Sequence, residues 1–169
     1  FYLVTRMKSF KLTNSMTHKK EEFKPHNPPN VSFYSCGPTV YGPIHIGNAR
    51  ALIFADHLYR WLSHIGYKVN FVRNYTDVDD RIIERGNREK KTAIEVADEY
   101  VAYCDRDIEL LGLRAPTKVV RVTETIPEII DLIQKIIERG HAYVVEGEVL
   151  YSVGSFPTYG KLSGKNIDD

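Results

Sequence analysis

The chain has 169 residues, 43% hydrophobic and 27% charged, with a formal net charge of +1. That length and composition fit one soluble globular domain with a real core. A charge so near zero neither demands nor excludes a nucleic-acid partner, so any RNA contact has to come from local patches. Two cysteines, Cys36 and Cys104, exclude a disulfide scaffold and point to a reducing compartment. No apolar stretch is long enough for a membrane span, and residues 1–6 hold no signal-peptide core, so no membrane partner and a cytoplasmic location are expected. The chain opens without Met and stops on Ile167-Asp168-Asp169, which reads as a piece of a longer protein.

In chain order, Phe10-Lys11-Leu12-Thr13 alternates like a short strand. A Pro-rich link from Pro25 to Pro29 then leads into the apolar run Val31 to Ser35, read as the first core strand. A helix is expected from about Ile46 to Ile65, with Ala51, Phe54, Ala55, Leu58, Leu62 and Ile65 on its inner stripe and Gly66 behind it. Tyr67 to Tyr75 reads as the next strand, with Val69, Phe71 and Arg73 on one face. Thr76 and Asp77 are expected to cap a helix from Val78, and Asp77, Asp79 and Asp80 read as caps and ion pairs beside Arg81.

Thr92 with Glu95 forms a capping-box pattern for a helix whose stripe is Val96, Tyr100, Tyr103 and Ile108 to Leu111. Cys104 lies in that stripe and reads as structural. Lys118 to Val122 is a β-branched strand. Thr125, Pro127 and Glu128 open a helix that Gly140 ends, with a wide apolar face suited to packing on a sheet. Tyr143 to Tyr151 reads as a β-hairpin, and the tail from Gly154 is turn-rich. Strands near 31–36, 67–75 and 118–122 that alternate with helices argue for a parallel α/β sheet, whose ligands bind beyond the strand C-termini.

One joint concentrates the chemistry. Cys36 to Arg50 reads CGPTVYGPIHIGNAR, crowded with glycine and proline between a strand and a helix start. Exposed amides and the helix dipole make such a joint a ready phosphate site, with His45 and Asn48 able to reach one face. Taken alone, His45-Ile46-Gly47-Asn48 reads more readily as an ordinary turn capped by its His and Asn. Likewise a lone Cys36 is more often a free thiol, since zinc sites want three or four ligands.

The longer string changes that balance. Cys-Gly-Pro-Thr-Val-Tyr followed after three residues by His-Ile-Gly-Asn resembles the first signature of class I aminoacyl-tRNA synthetases, and more narrowly of the cysteinyl-tRNA synthetase family. The resemblance continues in Phe71-Val72-Arg73-Asn74-Tyr75-Thr76-Asp77-Val78-Asp79-Asp80, in Glu21-Glu22-Phe23-Lys24-Pro25, and in Pro157-Thr158-Tyr159-Gly160 with Leu162-Ser163. It covers nearly the whole chain.

That resemblance implies a Rossmann-like parallel sheet with flanking helices, the first half of a class I nucleotide-binding fold, followed by the start of a connective insertion. It divides the chain into an N-terminal strand and linker (1–30), the first half of the catalytic domain (31–140) and the insertion (141–169). It implies ATP-dependent activation of L-cysteine to the adenylate and transfer to tRNA(Cys). His45 and Asn48 are the implied catalytic pair, and His45, Gly47, Asn48 and Tyr41 the implied ATP contacts. Gly37, Thr39, Thr76 and Asn74 are expected to face the substrate cysteine. Cys36 is the implied ligand of one zinc ion, and Mg2+ accompanies the ATP.

Asn48 stands where the family motif often has His, so it can hydrogen-bond a phosphate but carries no charge. The remaining zinc ligands, the second signature loop and an anticodon-binding domain are not found in this sequence, so these 169 residues alone are expected to be inactive. Two other readings stay open: a related ligase joining cysteine to an amino-sugar, and a truncated non-catalytic nucleotide-binding module.

Overall fold

A computed structural model of the chain describes residues 9–166, and the expectations placed on residues 1–6 and 167–169 lie outside them. The elements run β1 (Lys11–Asn14), β2 (Lys19–Glu22), β3 (Asn30–Ser35), α1 (Ile46–His64), β4 (Lys68–Tyr75) and α2 (Asp80–Glu89). They continue with α3 (Ala93–Leu110), β5 (Lys118–Arg121), α4 (Ile126–Glu138), β6 (Ala142–Val145) and β7 (Glu148–Tyr151). The chain divides into two compact units, one containing Lys24–Thr125 and the other Ser9–Phe23 with residues 126–166.

In the first unit, β3, β4 and β5 form a parallel sheet in that order, with Ser35 opposite Arg73 and Tyr75 opposite Arg121. This is the parallel α/β sheet the strand and helix alternation predicts, and it agrees with the Rossmann-like half-fold the resemblance implies. On β4 the period of two turns Phe71 and Tyr75 inward, each 2% exposed. Phe71 stacks on Phe33 at 4.5 Å and meets Tyr59 at 5.6 Å. The main cluster joins Val40, Leu52, Tyr75, Ile82, Val96 and Cys104. Each fully buried apolar side chain there contributes about 1.5–3 kcal/mol.

Helix α1 buries Ala49, Leu52, Ala55, Asp56 and Leu62, whereas Ala51 and Phe54, expected inside, are exposed. So much of α1 is apolar that periodicity alone leaves several stripes open. Asp56 marks the one used: it accepts the Arg114 N–H at 2.9 Å and pairs with Arg60 at 2.6 Å. Gly66, at φ +100°, carries the chain out of the helix as expected.

The start of α2 needs a correction. Its N-cap is Asp79, whose side chain accepts from the Arg81 N–H, rather than Thr76 or Asp77. Asp77 is 5% exposed and accepts from both the N–H and the hydroxyl of Thr123, which ties the ends of β4 and β5 together. The capping box of α3 forms as expected, and the Thr92 amide and hydroxyl hold the Glu95 carboxyl below its ordinary range. The buried stripe of α3 includes Val96, Tyr100, Cys104 and Ile108, while Tyr103, Leu110 and Leu111, expected on it, are exposed. Burial pushes the Cys104 thiol up, consistent with a structural cysteine.

In the second unit, β1 and β2 form an antiparallel hairpin. Strand β2, Lys-Lys-Glu-Glu, is wholly exposed and has no hydrophobic alternation to announce it. Strands β6 and β7 make the expected hairpin, turning through Glu146 (φ +51°) and Gly147 (φ +88°), the signs a tight hairpin turn requires. Helix α4 lies against β6 and leaves Ile130 and Leu132 exposed. Among the described residues, no helix is long and apolar enough to cross a membrane.

Candidate active site

The parallel sheet brings two features to one edge, where β3 and β4 end. The first is a turn at Cys36. As β3 leaves the sheet, the Gly37 N–H donates to Asn74 Oδ1 at 2.8 Å, and the Tyr34 hydroxyl donates to the same oxygen at 2.7 Å. Asn74 Nδ2 in turn donates to Thr76 Oγ1 at 3.3 Å. Backbone pairing continues past the strands: Val40 N–H to Thr76 O and Thr76 N–H to Pro38 O, both at 3.2 Å, with Thr39 bridging Thr76. So Gly37, Thr39, Asn74 and Thr76 are brought together around the cysteine turn. Asn74 braces it.

Gly37 is there because nothing larger fits. A Cβ on it would lie 1.7 Å from the Asn74 carbonyl oxygen. Cys36 itself is exposed, and its thiol donates to the Gly37 carbonyl at 3.6 Å, with the Tyr34 phenol also beside it. Partial burial, and then the neighbouring Cys36 thiol, push the Tyr34 phenol up. A tie to Asn74 and a sulfur close by make Tyr34 part of this turn.

The second feature is a cavity of about 400 Å³ lined by Thr39, Tyr41, His45, Asn48, Arg81 and Arg85, with Pro38, Gly42, Pro43 and Ile44. His45 is the N-cap of α1. Its Nδ1 accepts the Gly47 N–H at 3.0 Å, while Asn48 Oδ1 accepts the His45 N–H at 3.2 Å. The capped-turn reading of these four residues is therefore correct, and it also presents the imidazole. An amide can only donate, so the ring hydrogen sits on Nε2, the nitrogen not used by the cap. Gly47 spends its amide on that ring, and a Cβ there would sit 2.7 Å from His45 Cε1.

Two arginines of α2 enter this cavity. The Arg81 guanidinium lies 4.6 Å from the Tyr41 ring centre, pairs with Asp79 at 2.8 Å and donates to Thr39 Oγ1 at 3.2 Å. Arg85 donates to the Tyr41 carbonyl at 2.8 Å, pairs with Glu89 at 2.6 Å and lies 4.3 Å from the Tyr100 ring centre. A nearby arginine is different: Arg73 is 4% exposed and its Nε has no hydrogen-bond partner among the described residues.

The Gly47 amide, spent on the cap and outside the cavity lining, is not one of the free donors, but an imidazole N–H, a side-chain amide and two guanidiniums around one cavity suit a polyphosphate. For a metal, Cys36 offers one open sulfur, and no group of three or more His, Cys, Asp or Glu side chains gathers among the described residues. One exposed thiol is a donor type that zinc takes, but these residues do not by themselves make a metal site.

The profile of the family described as tRNA synthetases class I (C) catalytic domain matches residues 22–169, taking in both the turn and the cavity. The chain belongs to that family. A protein of Aquifex aeolicus named "Cysteine--tRNA ligase" is 49% identical over 161 residues, covering 95% of this chain and 32% of the relative. One of the same name from Shewanella sediminis is 48% identical over 159 residues, covering 94% and 35%. A third, from Trichlorobacter lovleyi, is 46% identical over 161 residues, covering 95% and 33%. The chain thus spans about a third of the length of the curated relatives it matches.

In this class I synthetase chain, three site residues escape a reading of the sequence. Tyr34 stands two residues before Cys36, the spacing that puts two strand residues on one face. Arg81 and Arg85 stand one helical turn apart, just past the Thr76-Asp77-Val78-Asp79-Asp80 stretch. Spacing therefore hints at both, but only packing of α2 against the 39–42 loop brings the arginines to the cavity.

Proposed function

We propose that the natural protein carrying this chain is a cysteine–tRNA ligase, which activates L-cysteine with ATP and passes it to tRNA(Cys). The observation that carries this reading is the meeting of the Cys36 turn and the His45–Asn48 cavity at one edge of one parallel sheet, joined through Pro38 and Thr39. The name shared by its relatives supports the same activity. In this reading residues 31–140 are the first half of the catalytic domain, 141–169 begin a connective insertion and 1–30 are the N-terminal strand and linker.

In the activation step a cysteine carboxylate oxygen bonds to the α-phosphorus of ATP, and the bond to the bridging oxygen breaks to release pyrophosphate. Such a step needs placement and charge stabilisation more than covalent help. His45 donates from Nε2 and Asn48 from its amide to phosphate oxygens. Gly47 leaves room for the imidazole, and Tyr41 walls the cavity. Gly37, Thr39, Asn74 and Thr76 shape the pocket for the cysteine side of the adenylate. Mg2+ accompanies the ATP. Cys36 would hold a zinc ion as one of that ion's ligands. A zinc bound there supplies the preference for a thiolate over a hydroxyl that separates cysteine from serine.

The acceptor is the test. Incubated with ATP, labelled cysteine and both acceptors, the natural protein is expected to charge tRNA(Cys) and to leave an aminoglycoside-like amine unmodified. Label on the amine with none on tRNA would overturn the tRNA assignment.

A further inference from the structure

We propose that Arg81 is the cationic contact for the reacting carboxylate and α-phosphate, an inference that rests on the ligase reading above. At the moment of attack two anions must approach each other, so the site needs fixed positive charge at their meeting point. The signature residues supply little of it. Asn48 is uncharged, and His45 accepts a hydrogen bond at Nδ1 and so offers one N–H rather than an ionic pair of donors. Among the described residues lining the cavity, the guanidiniums are those of Arg81 and Arg85.

Their surroundings separate them. Arg85 is committed to the fold: its side chain is 24% exposed, with Glu89, the Tyr41 carbonyl and the Tyr100 ring as neighbours. Arg81 keeps 52% of its side chain exposed. Its Nη2 already donates to Thr39 Oγ1, on the loop that joins the Cys36 turn to the phosphate cavity. An anion at that seam sits where the amino acid ends and the nucleotide begins. The Tyr41 ring under the guanidinium and the Asp79 carboxylate, which accepts from its Nε and Nη2, hold it beside Thr39. With Nε and Nη2 engaged by Asp79 and Thr39, the two Nη1 hydrogens are the donors left to meet an incoming carboxylate or phosphate oxygen.

The experiment is cysteine-dependent exchange of pyrophosphate into ATP, without tRNA, by the natural protein and its R81Q and R81K forms. R81Q is expected to lower kcat about 100-fold, the loss typical when one transition-state donor is removed. R81K is expected to recover part of that loss, and amide-exchange protection of α2 to stay at the parent's level in both. Exchange by R81Q equal to the parent's would overturn the inference. So would equal losses in R81Q and R81K accompanied by lost α2 protection, because that marks a structural role. A parent that exchanges while R81Q matches it refutes Arg81 alone. A folded parent with no cysteine-dependent exchange refutes the ligase reading and the inference with it.

Discussion

Replacing Gly37 with alanine is expected to lower cysteine activation about 100-fold, the usual cost of displacing a reacting group by about 1 Å. The new Cβ would begin 1.7 Å from the Asn74 carbonyl oxygen. Ordinary contact needs roughly twice that separation, and neither atom is the end of a flexible side chain. The strain has to be relieved by parting the Cys36 turn from the end of β4. That movement breaks the Gly37 N–H bond to Asn74 Oδ1 and disturbs the Tyr34 hydroxyl sharing that oxygen. Cys36 then leaves the position that this turn gives it. Gly154→Ala is the control, since a Cβ there meets nothing within 4 Å. Kinetics of the two variants in the natural protein check this, and a G37A enzyme as active as G154A would refute it.

The second large effect is expected from Cys36→Ser. A serine hydroxyl stays protonated near neutral pH and is a poor zinc ligand, whereas a cysteine binds as the thiolate. Changing a residue that only supports a metal ligand already costs 10–100-fold, so losing the ligand itself should weaken zinc binding by at least about 100-fold. The natural protein should then lose its zinc on dialysis, and with it the preference for cysteine over serine. The fold should survive, because Cys36 is exposed and its thiol makes a long contact to Gly37 O rather than core packing. Zinc content measured beside the circular dichroism spectrum checks both halves. A C36S protein that keeps its zinc would remove Cys36 from the metal site.

Much of this fold is legible in the sequence because local signals and tertiary structure agree. The apolar or β-branched runs that became β3, β4 and β5, and the Thr92–Glu95 capping box, needed no distant information. Failures arose where distant partners decide. Asp77 looks like a helix cap but is claimed by Thr123, 46 residues away, which leaves capping to Asp79. Phe54 looks like a core residue until a buried Asp56, bound to the Arg114 amide, turns α1 by its own demand for partners. At the candidate site, residue types alone read the run from Cys36 to Asn48 as a Gly/Pro turn capped by His45 and Asn48, and its chemistry is what the family resemblance implies. The placements of Asn74 as a brace and of Arg81 and Arg85 on the cavity follow from strand register and from packing of α2, neither of which is written in spacing alone.

The most direct test of the account is pyrophosphate exchange into ATP by the natural protein, with cysteine and serine compared as substrates. The account predicts exchange with cysteine and little with serine. Absence of exchange with cysteine in a folded, zinc-replete protein, or equal exchange with serine, would contradict it.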